Sequence, residues 1–405
     1  MTFSRKCRYR AATLLLLAAI AAGGWLLAPR NPFDAGDWLL RWRELRLLQR
    51  GIDPFDVFAH RIQVPGCVSL LDPQPGNQAI HNYAPWTYGF CFPAAWLSGE
   101  ITAARLMLAV NAAGLLLLAG LIWLTIRERT DDPDRAILLT AAALLLDLFP
   151  LFRTLSVGNF SIAATTAALA LAMLLNRKHD LAAGFMLAIL MLKIQIGAVF
   201  LIPLLMARKY RTLAVGGGLC AAASCIPAWF TGKMPWTLTW QLLHSGDPSF
   251  VSPYTGGLFS VFARVLPASW LLAADAVIAL GVLILVSRRL RHHRDWLLKL
   301  VPAAAVVPLW NYSQTIDQCL LLLPLVWYLT GIFRAESRQQ RNLAIAAAAL
   351  FSTGFFHTVW NIFVLSGRFL APDGLGPLFI GLQTICYAGW LLLLLRLPQE
   401  PPDHS

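Results

Sequence analysis

The sequence predicts an all-α protein: a polytopic bundle of transmembrane helices with about 12 membrane segments, some of them short or re-entrant. Of the 405 residues, 58% are hydrophobic and only 13% are charged, whereas a soluble domain carries about 25% charged residues. Apolar runs recur from end to end. The basic residues give a net charge of +12, but they fall in short clusters between these runs. Cytoplasmic loops of membrane proteins show this pattern, so the charge does not require a nucleic-acid partner.

The first apolar run follows a basic N-terminus and could be a signal peptide or an uncleaved first helix. It ends at Trp25-Leu26-Leu27 without a clean small-x-small cleavage site, which favours the uncleaved helix. A spanning helix needs roughly 20 residues, so 181–192, 195–207 and 297–310 are too short on their own. The complete set of apolar runs is 11–28, 104–126, 136–152, 159–176, 181–192, 195–207, 212–230, 269–287, 297–310, 317–333, 342–365 and 377–395.

The short runs within 181–207 decide the topology of the second half of the chain. One continuous helix would place the basic cluster Arg208–Arg211 outside the cell and would reverse every later loop. A short hairpin that turns near Lys193 leaves all basic clusters on the cytoplasmic side. We therefore predict the hairpin, two cytoplasmic termini, and a single integral-membrane domain over residues 1–405 in a bacterial inner membrane.

Two long segments then lie on the extracytoplasmic side, residues 29–103 and 231–268. The first contains a stretch from Trp38 to Arg50 in which leucine and tryptophan are mixed with charged residues. This composition is typical of an amphipathic helix that lies in the membrane interface. We therefore predict an interfacial helix within the first outer segment.

The seven cysteines form no CxxC pair and no Cys/His cluster, so the sequence predicts no metal site. Cys67 and Cys91 share the first outer segment, where they could form a disulfide or remain free. The sequence contains no P-loop, GxSxG, HExxH or dinucleotide-binding motif. Membrane-embedded ATP hydrolysis, serine hydrolysis and zinc proteolysis therefore have no support, and no cofactor is predicted.

Ionisable residues near membrane depth are functional candidates, because burying an unpaired charge is costly. Asp34 and Asp37 are spaced i, i+3 and would share one face of a helical turn. Either could act as a general base or bind a cation, and Asp37 could also cap a helix that starts at Trp38. Lys193, at the tip of the hairpin, could bind an anionic phosphate or extend its ammonium towards the interface.

Two further polar stretches are predicted on the same side of the membrane. Residues 311–318 include Gln314 and Asp317, which could hydrogen-bond a sugar or phosphate. They could also form a short turn whose acid lies near a helix N-terminus. The loop that follows His244 includes Arg264, which could hold a phosphate bidentately or lie at the rim of a site.

These residues belong to an ordered series of motifs that resembles glycosyltransferase family 87, a group of GT-C-class, multi-pass enzymes. In chain order the motifs are Asp37-Trp38, Leu47-Leu48-Gln49-Arg50-Gly51-Ile52-Asp53-Pro54-Phe55, Tyr83-Ala84-Pro85-Trp86, Val157-Gly158-Asn159-Phe160-Ser161, Ala183-Gly184, Lys193-Ile194, Thr315-Ile316-Asp317-Gln318 and Leu321-Leu322-Leu323-Pro324. Each motif alone is weak, but together they span most of the chain. The sequence departs from the family pattern at Arg41-Trp42, where tyrosines are usual, at Asn159 in place of Gln, and at Ile194 in place of Pro.

The resemblance implies an inverting transferase that moves a hexose, mannose by family precedent, from a polyprenyl-phosphate donor to an acceptor hydroxyl at the outer face. Asp37 matches the catalytic acidic position of the family, where a carboxylate would act as the base. Lys193 and Arg264 would bind the donor phosphate. The substrate-binding candidates are Asp34, Tyr83, Asn159, Gln195, His244, Gln314 and Asp317. The implied partners are the lipid-linked donor, a lipid or glycan acceptor, and membrane lipids.

Two other classes of protein explain parts of the sequence. A transporter or flippase for lipids or lipid-linked sugars would account for the helices and for Lys193. Such proteins usually carry internal repeats with broken helices in matching positions, and the sequence shows none. A receptor or structural membrane protein would leave the outer polar residues unexplained. Asp34 and Asp37 both remain candidates for the base.

Overall fold

A computed structural model describes residues 5–27, 35–59, 83–130, 132–244, 268–309, 315–334, 337–351 and 389–391. Every regular element in these ranges is helical, which confirms the all-α prediction for the described part of the chain. The α-helices are α1 (Arg5–Leu27), α2 (Gly36–Gln49), α3 (Pro54–Ala59), α4 (Pro85–Cys91), α5 (Glu100–Arg127), α6 (Pro133–Leu146), α7 (Leu148–Val157), α8 (Ser161–Asn176), α9 (Asp180–Leu190), α10 (Ile194–Met206), α11 (Tyr210–Thr231), α12 (Pro235–His244), α13 (Ala268–Leu290), α14 (Trp296–Val306), α15 (Leu322–Arg334) and α16 (Arg338–Phe351). Two 3-10 helices cover Phe92–Trp96 and Thr315–Leu321.

Three of the described helices are long and apolar enough to cross a membrane: Lys6–Leu27 within α1, then α5 and α11. α6 and α7 form a fourth candidate if they are one broken span, with a bend of 64° at Asp147. The single helix predicted over 136–152 is therefore two helices. The shorter apolar helices have 10–17 residues, too few to cross a hydrocarbon core of about 30 Å alone. The prediction of about 12 membrane segments is accordingly not confirmed.

The interruption predicted near Lys193 is confirmed, since α9 and α10 are separate helices. Backbone carbonyls at such a break lose their partners within the helix and need others. Trp86 Nε1 donates to the carbonyl of Met191 at 2.7 Å, and Thr87 Oγ1 donates to that of Leu192 at 2.8 Å. Side chains of α4 therefore stabilise the break from which Lys193 projects.

The basic connections gather at one end of the bundle. Three ion pairs link them: Arg177–Glu128 at 2.5 Å, Lys209–Asp180 at 2.9 Å and Arg129–Asp295 at 2.7 Å. These pairs join the connections that follow α5, α8, α10 and α13. The loops whose basic residues predict a cytoplasmic location are thus in contact with one another, as the predicted hairpin at Lys193 requires.

The helices sort into a central group and a peripheral group. α14 is buried along its whole length, and most residues of α8 are buried as well. In contrast, α1, α5 and α11 expose large apolar side chains; Leu15 is 72%, Leu116 76% and Trp229 85% exposed. A water-facing surface of this kind would be unfavourable, so these helices suit contact with lipid.

The helix predicted between Trp38 and Arg50 exists as α2, and protein covers much of it, so its composition alone does not describe its surroundings. Trp38 and Trp42 are buried, and their indole N–H groups donate to backbone carbonyls of Ala103 and Ala94, both at 2.9 Å. Its charged residues Arg41 and Glu44 are also buried. α2 is therefore a core helix, covered by protein that a composition-based prediction does not reveal.

In the first outer segment, Cys91 is a free thiol, and Cys67 lies outside the described residues. The structure therefore gives no support to a disulfide between them. In the second outer segment the structure describes residues 231–244, which include α12, and residue 268.

The crossing of α4 and α11 depends on Gly89. A Cβ added there would lie 1.9 Å from the carbonyl oxygen of Ala223, so the two backbones can approach only without a side chain. We expect Gly89→Ala to force the helices apart and to destabilise the fold by about 1–3 kcal/mol. The measurement is the thermal unfolding midpoint of the purified protein. Gly217→Ala, also on α11 but with no atom within 4 Å, is the matched control and should not lower that midpoint. Equal midpoints for both variants would contradict the prediction.

Candidate active site

The carboxylate of Asp37 lies where α2 meets the N-terminal end of α8. Its Oδ2 atom accepts hydrogen bonds from Asn159 Nδ2 at 2.6 Å and from the hydroxyl of Tyr83 at 3.2 Å. The N-cap position of α2 is Ala35, so Asp37 is not the capping residue. The side chain is half-buried, and none of the described residues donates to Oδ1. One oxygen is therefore held in place, while the other is not held by a donor from the described part of the chain.

Two left-handed backbone positions bring Asp37 and Asn159 together. Ala35 precedes α2 with φ 49°, and its N–H donates to the carbonyl of Ser156 at 3.0 Å. Gly158 ends α7 with φ 71°, and a Cβ there would lie 2.9 Å from the Cβ of Trp38. Only glycine combines this conformation with this close approach, so Gly158 sets the distance between α2 and the start of α8.

Behind Asn159 lies a buried cluster of charges. Lys193 is 3% exposed, and its ammonium donates to Asn159 Oδ1 at 3.1 Å, to Ser161 Oγ at 3.2 Å and to Asp317 Oδ1. Three acceptors account for all three ammonium protons. Asp317 is 1% exposed. The two opposite charges offset each other's desolvation, which neither could tolerate alone in this interior.

The cluster also fixes which way the amide of Asn159 points. Asn159 Oδ1 accepts from the Lys193 ammonium and from the backbone N–H of Ser161 at 3.0 Å. Neither group can accept a hydrogen bond, so the oxygen must face them and the amide nitrogen must face Asp37. The charge of Lys193 thus determines the orientation of a donor to the carboxylate.

Tyr83 is the second donor to Asp37. Burial raises the pKa of the Tyr83 hydroxyl, and the negative charge of Asp37 raises this pKa further. The phenol therefore stays protonated and keeps its proton for Asp37. Its ring packs edge-on against Phe160 with centroids 5.6 Å apart, and the Arg41 guanidinium lies 4.6 Å from the ring centre.

Arg41 belongs to a second buried ion pair, one turn along α2. Its Nη1 atom donates to both carboxylate oxygens of Glu44, at 2.7 and 2.9 Å, and the hydroxyl of Tyr88 donates to Glu44 at 2.8 Å. Burial raises the pKa of Glu44, and the positive charge of Arg41 opposes this rise. The pair lets α2 carry charged residues inside the protein and joins it to α4.

A third ionic cluster ties α3 to the end of α11 and to α12. The Lys233 ammonium lies 2.5 Å from carboxylate oxygens of both Asp53 and Asp56, and Gln241 Nε2 donates to Asp56 at 2.7 Å. Burial lowers the pKa of Lys233, but its two carboxylate partners outweigh this effect and the pKa is raised. This cluster joins the two outer segments to each other.

α8 separates the candidate site from the basic end of the bundle. It begins next to Asn159 and ends at the connection that holds Arg177. A helix of 16 residues is about 24 Å long, so the candidate site and the basic connections lie at opposite ends of α8, about that far apart.

The structure brings together five of the residues that the sequence singled out: Asp37, Tyr83, Asn159, Lys193 and Asp317. Gln195 is half-buried in the first turn of α10, and His244 is the last residue of α12. Asp34, Arg264 and Gln314 lie outside the described residues.

The geometry speaks against direct phosphate binding by Lys193. Its ammonium is buried and already has three acceptors, one of them the carboxylate of Asp317. A phosphate could reach it only by displacing these groups. The sequence showed that Lys193 carries a charge, but it did not show that Asp317 is its ion-pair partner.

The sequence reasoning missed Ser161 and the network of Arg41, Glu44 and Tyr88. The i, i+3 spacing of Arg41 and Glu44 in α2 was an available signal, since such pairs lie on one helix face. Nothing in the sequence indicated that Tyr88 contacts them.

Comparison with known proteins supplies a family match. The model of a family described as glycosyltransferase family 87 matches residues 81–310, more than half of the chain. The matched range contains Tyr83, Asn159 and Lys193, whereas Asp37 and Asp317 lie outside it. No curated protein and no solved structure matches the chain.

The buried Arg41–Glu44 pair generates a stability prediction. Glu44→Gln removes the charge that is hydrogen-bonded to the buried Arg41 guanidinium, so we expect a loss of about 3–5 kcal/mol in the free energy of unfolding. Glu100→Gln breaks the pair of Glu100 with Arg43, in which the two side chains are 48% and 25% exposed. Water screens such pairs, and we expect a loss of no more than ~1 kcal/mol. Comparable losses in chemical unfolding of the two variants would show that the Arg41–Glu44 pair is not a structural anchor.

The Lys193–Asp317 pair predicts strong coupling in a double-mutant cycle. Lys193→Gln and Asp317→Asn each remove one charge of the buried pair. We expect each to lower the free energy of unfolding by about 3–5 kcal/mol. The double variant removes both charges and should be more stable than the sum of the single losses predicts, by at least ~1 kcal/mol. Additive losses in unfolding measurements would argue against a direct pair.

Proposed function

The chain belongs to glycosyltransferase family 87, and from this premise we propose that it transfers a hexose from a polyprenyl-phosphate donor to an acceptor hydroxyl. It is therefore a glycosyltransferase, and the proposal concerns the donor, the sugar and the course of the reaction. Mannose is our choice of sugar because of family precedent. The acceptor would be a lipid or a glycan.

Asp37 is our candidate for the general base. The observation that carries this choice is that Tyr83 and Asn159 hold one of its carboxylate oxygens, while none of the described residues donates to the other, open oxygen. The open oxygen would take the proton of the acceptor hydroxyl as the hydroxyl oxygen attacks the anomeric carbon. The bond from that carbon to the phosphate oxygen would break, and polyprenyl phosphate would leave with the electron pair. A single displacement of this kind inverts the anomeric configuration.

Asn159, Lys193 and Asp317 would act as positioning residues. Asn159 holds the carboxylate of Asp37, and the buried ion pair behind it fixes the amide. A base held in one orientation does not have to reorganise as its proton arrives, which lowers the barrier.

We place the site on the extracytoplasmic side, with both termini in the cytoplasm of a bacterial cell. The support is the separation of charge along the bundle. Basic connections cluster at one end, and the Asp37 cluster lies at the other end of α8. Lysine and arginine mark the cytoplasmic side of membrane proteins.

The test is a transfer assay with the full-length protein in lipid nanodiscs, given polyprenyl-phosphate mannose, glucose or galactose and a panel of lipid and glycan acceptors. Mass spectrometry detects the product, and NMR of the new linkage reports its anomeric configuration. We expect Asp37→Asn to lower the rate about 10²–10⁴-fold while folding is retained, because general-base catalysis contributes that much.

Asp134→Asn is the matched control. Asp134 is paired with the exposed Arg10 at the basic end of the bundle, so this variant should keep the full rate. Full activity of Asp37→Asn would remove the assignment of the base. A retained anomeric configuration would reject the single displacement. Movement of the lipid across the membrane without a new glycosidic bond would favour a transporter.

A further inference from the structure

A cavity of about 350 Å³ lies beside the helix that carries Asp37. Its walls are Ala35, which precedes α2, Leu39 of α2, the first turns of α5, and Leu155 and Ser156 of α7. The hydrogen bond from the Ala35 N–H to the Ser156 carbonyl joins two of these walls. Asp37 is not a lining residue, but it lies between Ala35 and Leu39 in the same turn. The volume falls within the range of small-ligand sites, about 300–1,000 Å³.

Most of the lining is apolar, and two of its residues are charged. Glu100 is paired with Arg43 at 2.8 Å, so its charge is offset. Arg105 is exposed, and within the described ranges it has neither an ion pair nor a hydrogen bond. The mostly apolar wall therefore presents one guanidinium, that of Arg105, which has no partner among the residues that the structure describes.

The depth of Arg105 suits a lipid phosphate. α5 has 28 residues and is about 42 Å long, whereas the hydrocarbon core is about 30 Å thick, so roughly 6 Å of helix extends beyond it at each end. Arg105 lies five residues after Glu100, at about 7–8 Å from that end. Its guanidinium therefore lies near the level at which hydrocarbon gives way to phosphate groups.

The cavity also has a lateral opening for a lipid tail. Ile101 and Leu108 line it on the same face of α5 as Arg105, and they are 70% and 39% exposed. An apolar chain could thus pass from the cavity into the bilayer. Many arginines at a membrane interface only contact the headgroups of the surrounding lipids. That role does not require the arginine to line a cavity, whereas Arg105 lines one beside the helix that carries Asp37.

We propose that this cavity binds the phosphate end of the lipid-linked donor, with Arg105 as the phosphate ligand, an inference that rests on the proposed function. The apolar walls would take the first isoprene units, and the sugar would lie near the first turn of α2. As the bond to the anomeric carbon breaks, its electron pair passes to the phosphate oxygen and adds a negative charge to the leaving group. A guanidinium binds phosphate oxygens bidentately, so Arg105 would stabilise that charge.

The experiment measures binding of undecaprenyl phosphate to the full-length protein in phosphatidylcholine nanodiscs. We expect Arg105→Gln to weaken binding at least about tenfold, and Arg105→Lys to weaken it less, since lysine keeps the charge but not the fork of donors. Arg50→Gln is the matched control, because Arg50 is exposed at the end of α2 and does not line the cavity. Its affinity should equal that of the native protein. Undecaprenol, which lacks the phosphate, should bind the native protein and Arg105→Gln equally.

Competition distinguishes the possible sources of the phosphate. Undecaprenyl phosphate should be displaced neither by inorganic phosphate nor by phosphatidylglycerol at equal concentration. Equal competition by phosphatidylglycerol would overturn the inference in favour of a site for anionic lipids in general. Unchanged binding of undecaprenyl phosphate to Arg105→Gln would overturn it directly.

The inference and the proposed function can fail separately. Arg105 has no partner in the described part of the chain, so Arg105→Gln should unfold at the same temperature as the native protein, and a loss of binding then reports on the ligand. Transfer that survives Arg105→Gln at the native rate but is lost in Asp37→Asn would remove only the role of Arg105. Phosphate-dependent binding without any sugar transfer would remove only the proposed reaction.

Discussion

The buried ion pair of Lys193 and Asp317 is the interaction on which the candidate site depends. It joins the break between α9 and α10 to the 3-10 helix that precedes α15, two segments separated by 124 residues in the chain. Neither charge could be buried alone at this depth, so the two segments must meet for the protein to fold. Their meeting also fixes Asn159, and Asn159 in turn holds Asp37. The stability of the bundle and the geometry of the carboxylate therefore rest on the same pair.

α2 is held against this bundle by a different set of interactions. Two indole N–H groups donate to backbone carbonyls, and a buried arginine–glutamate pair lies one turn further along the helix. The left-handed residues Ala35 and Gly158 then allow the close approach of α2 to the start of α8. A segment that looks like a surface helix by composition thus becomes a rigid support for Asp37. Rigid support suits a base that must meet its substrate in one orientation.

The residues of the site were predictable because burying charged and polar side chains costs free energy. Charged and amide side chains are rare in apolar sequence, so Asp37, Asn159, Lys193 and Asp317 stand out from the residues around them. The break at Lys193 followed from the distribution of basic clusters, and the ion pairs among those clusters agree with it. The role of Lys193 was harder to predict, because a lone lysine in sequence carries no mark of the carboxylate that neutralises it. Arg105 was overlooked for the opposite reason: it lies near the start of an ordinary spanning helix and becomes notable only beside the cavity.

By itself, the sequence determined the class of the protein, the helical character of its segments, the interruption at Lys193 and the residues that carry unusual polarity. These features follow from local composition and from charge counted along the chain, which a linear pattern records. Only the tertiary structure decided that α2 is buried, that the apolar run over 136–152 bends at Asp147, and that Lys193 faces Asp317 and Asn159. These outcomes depend on which surfaces cover one another. A charge close to the end of its helix looks the same in sequence whether a carboxylate, a phosphate or water lies opposite it, and only the packing of distant segments distinguishes the three.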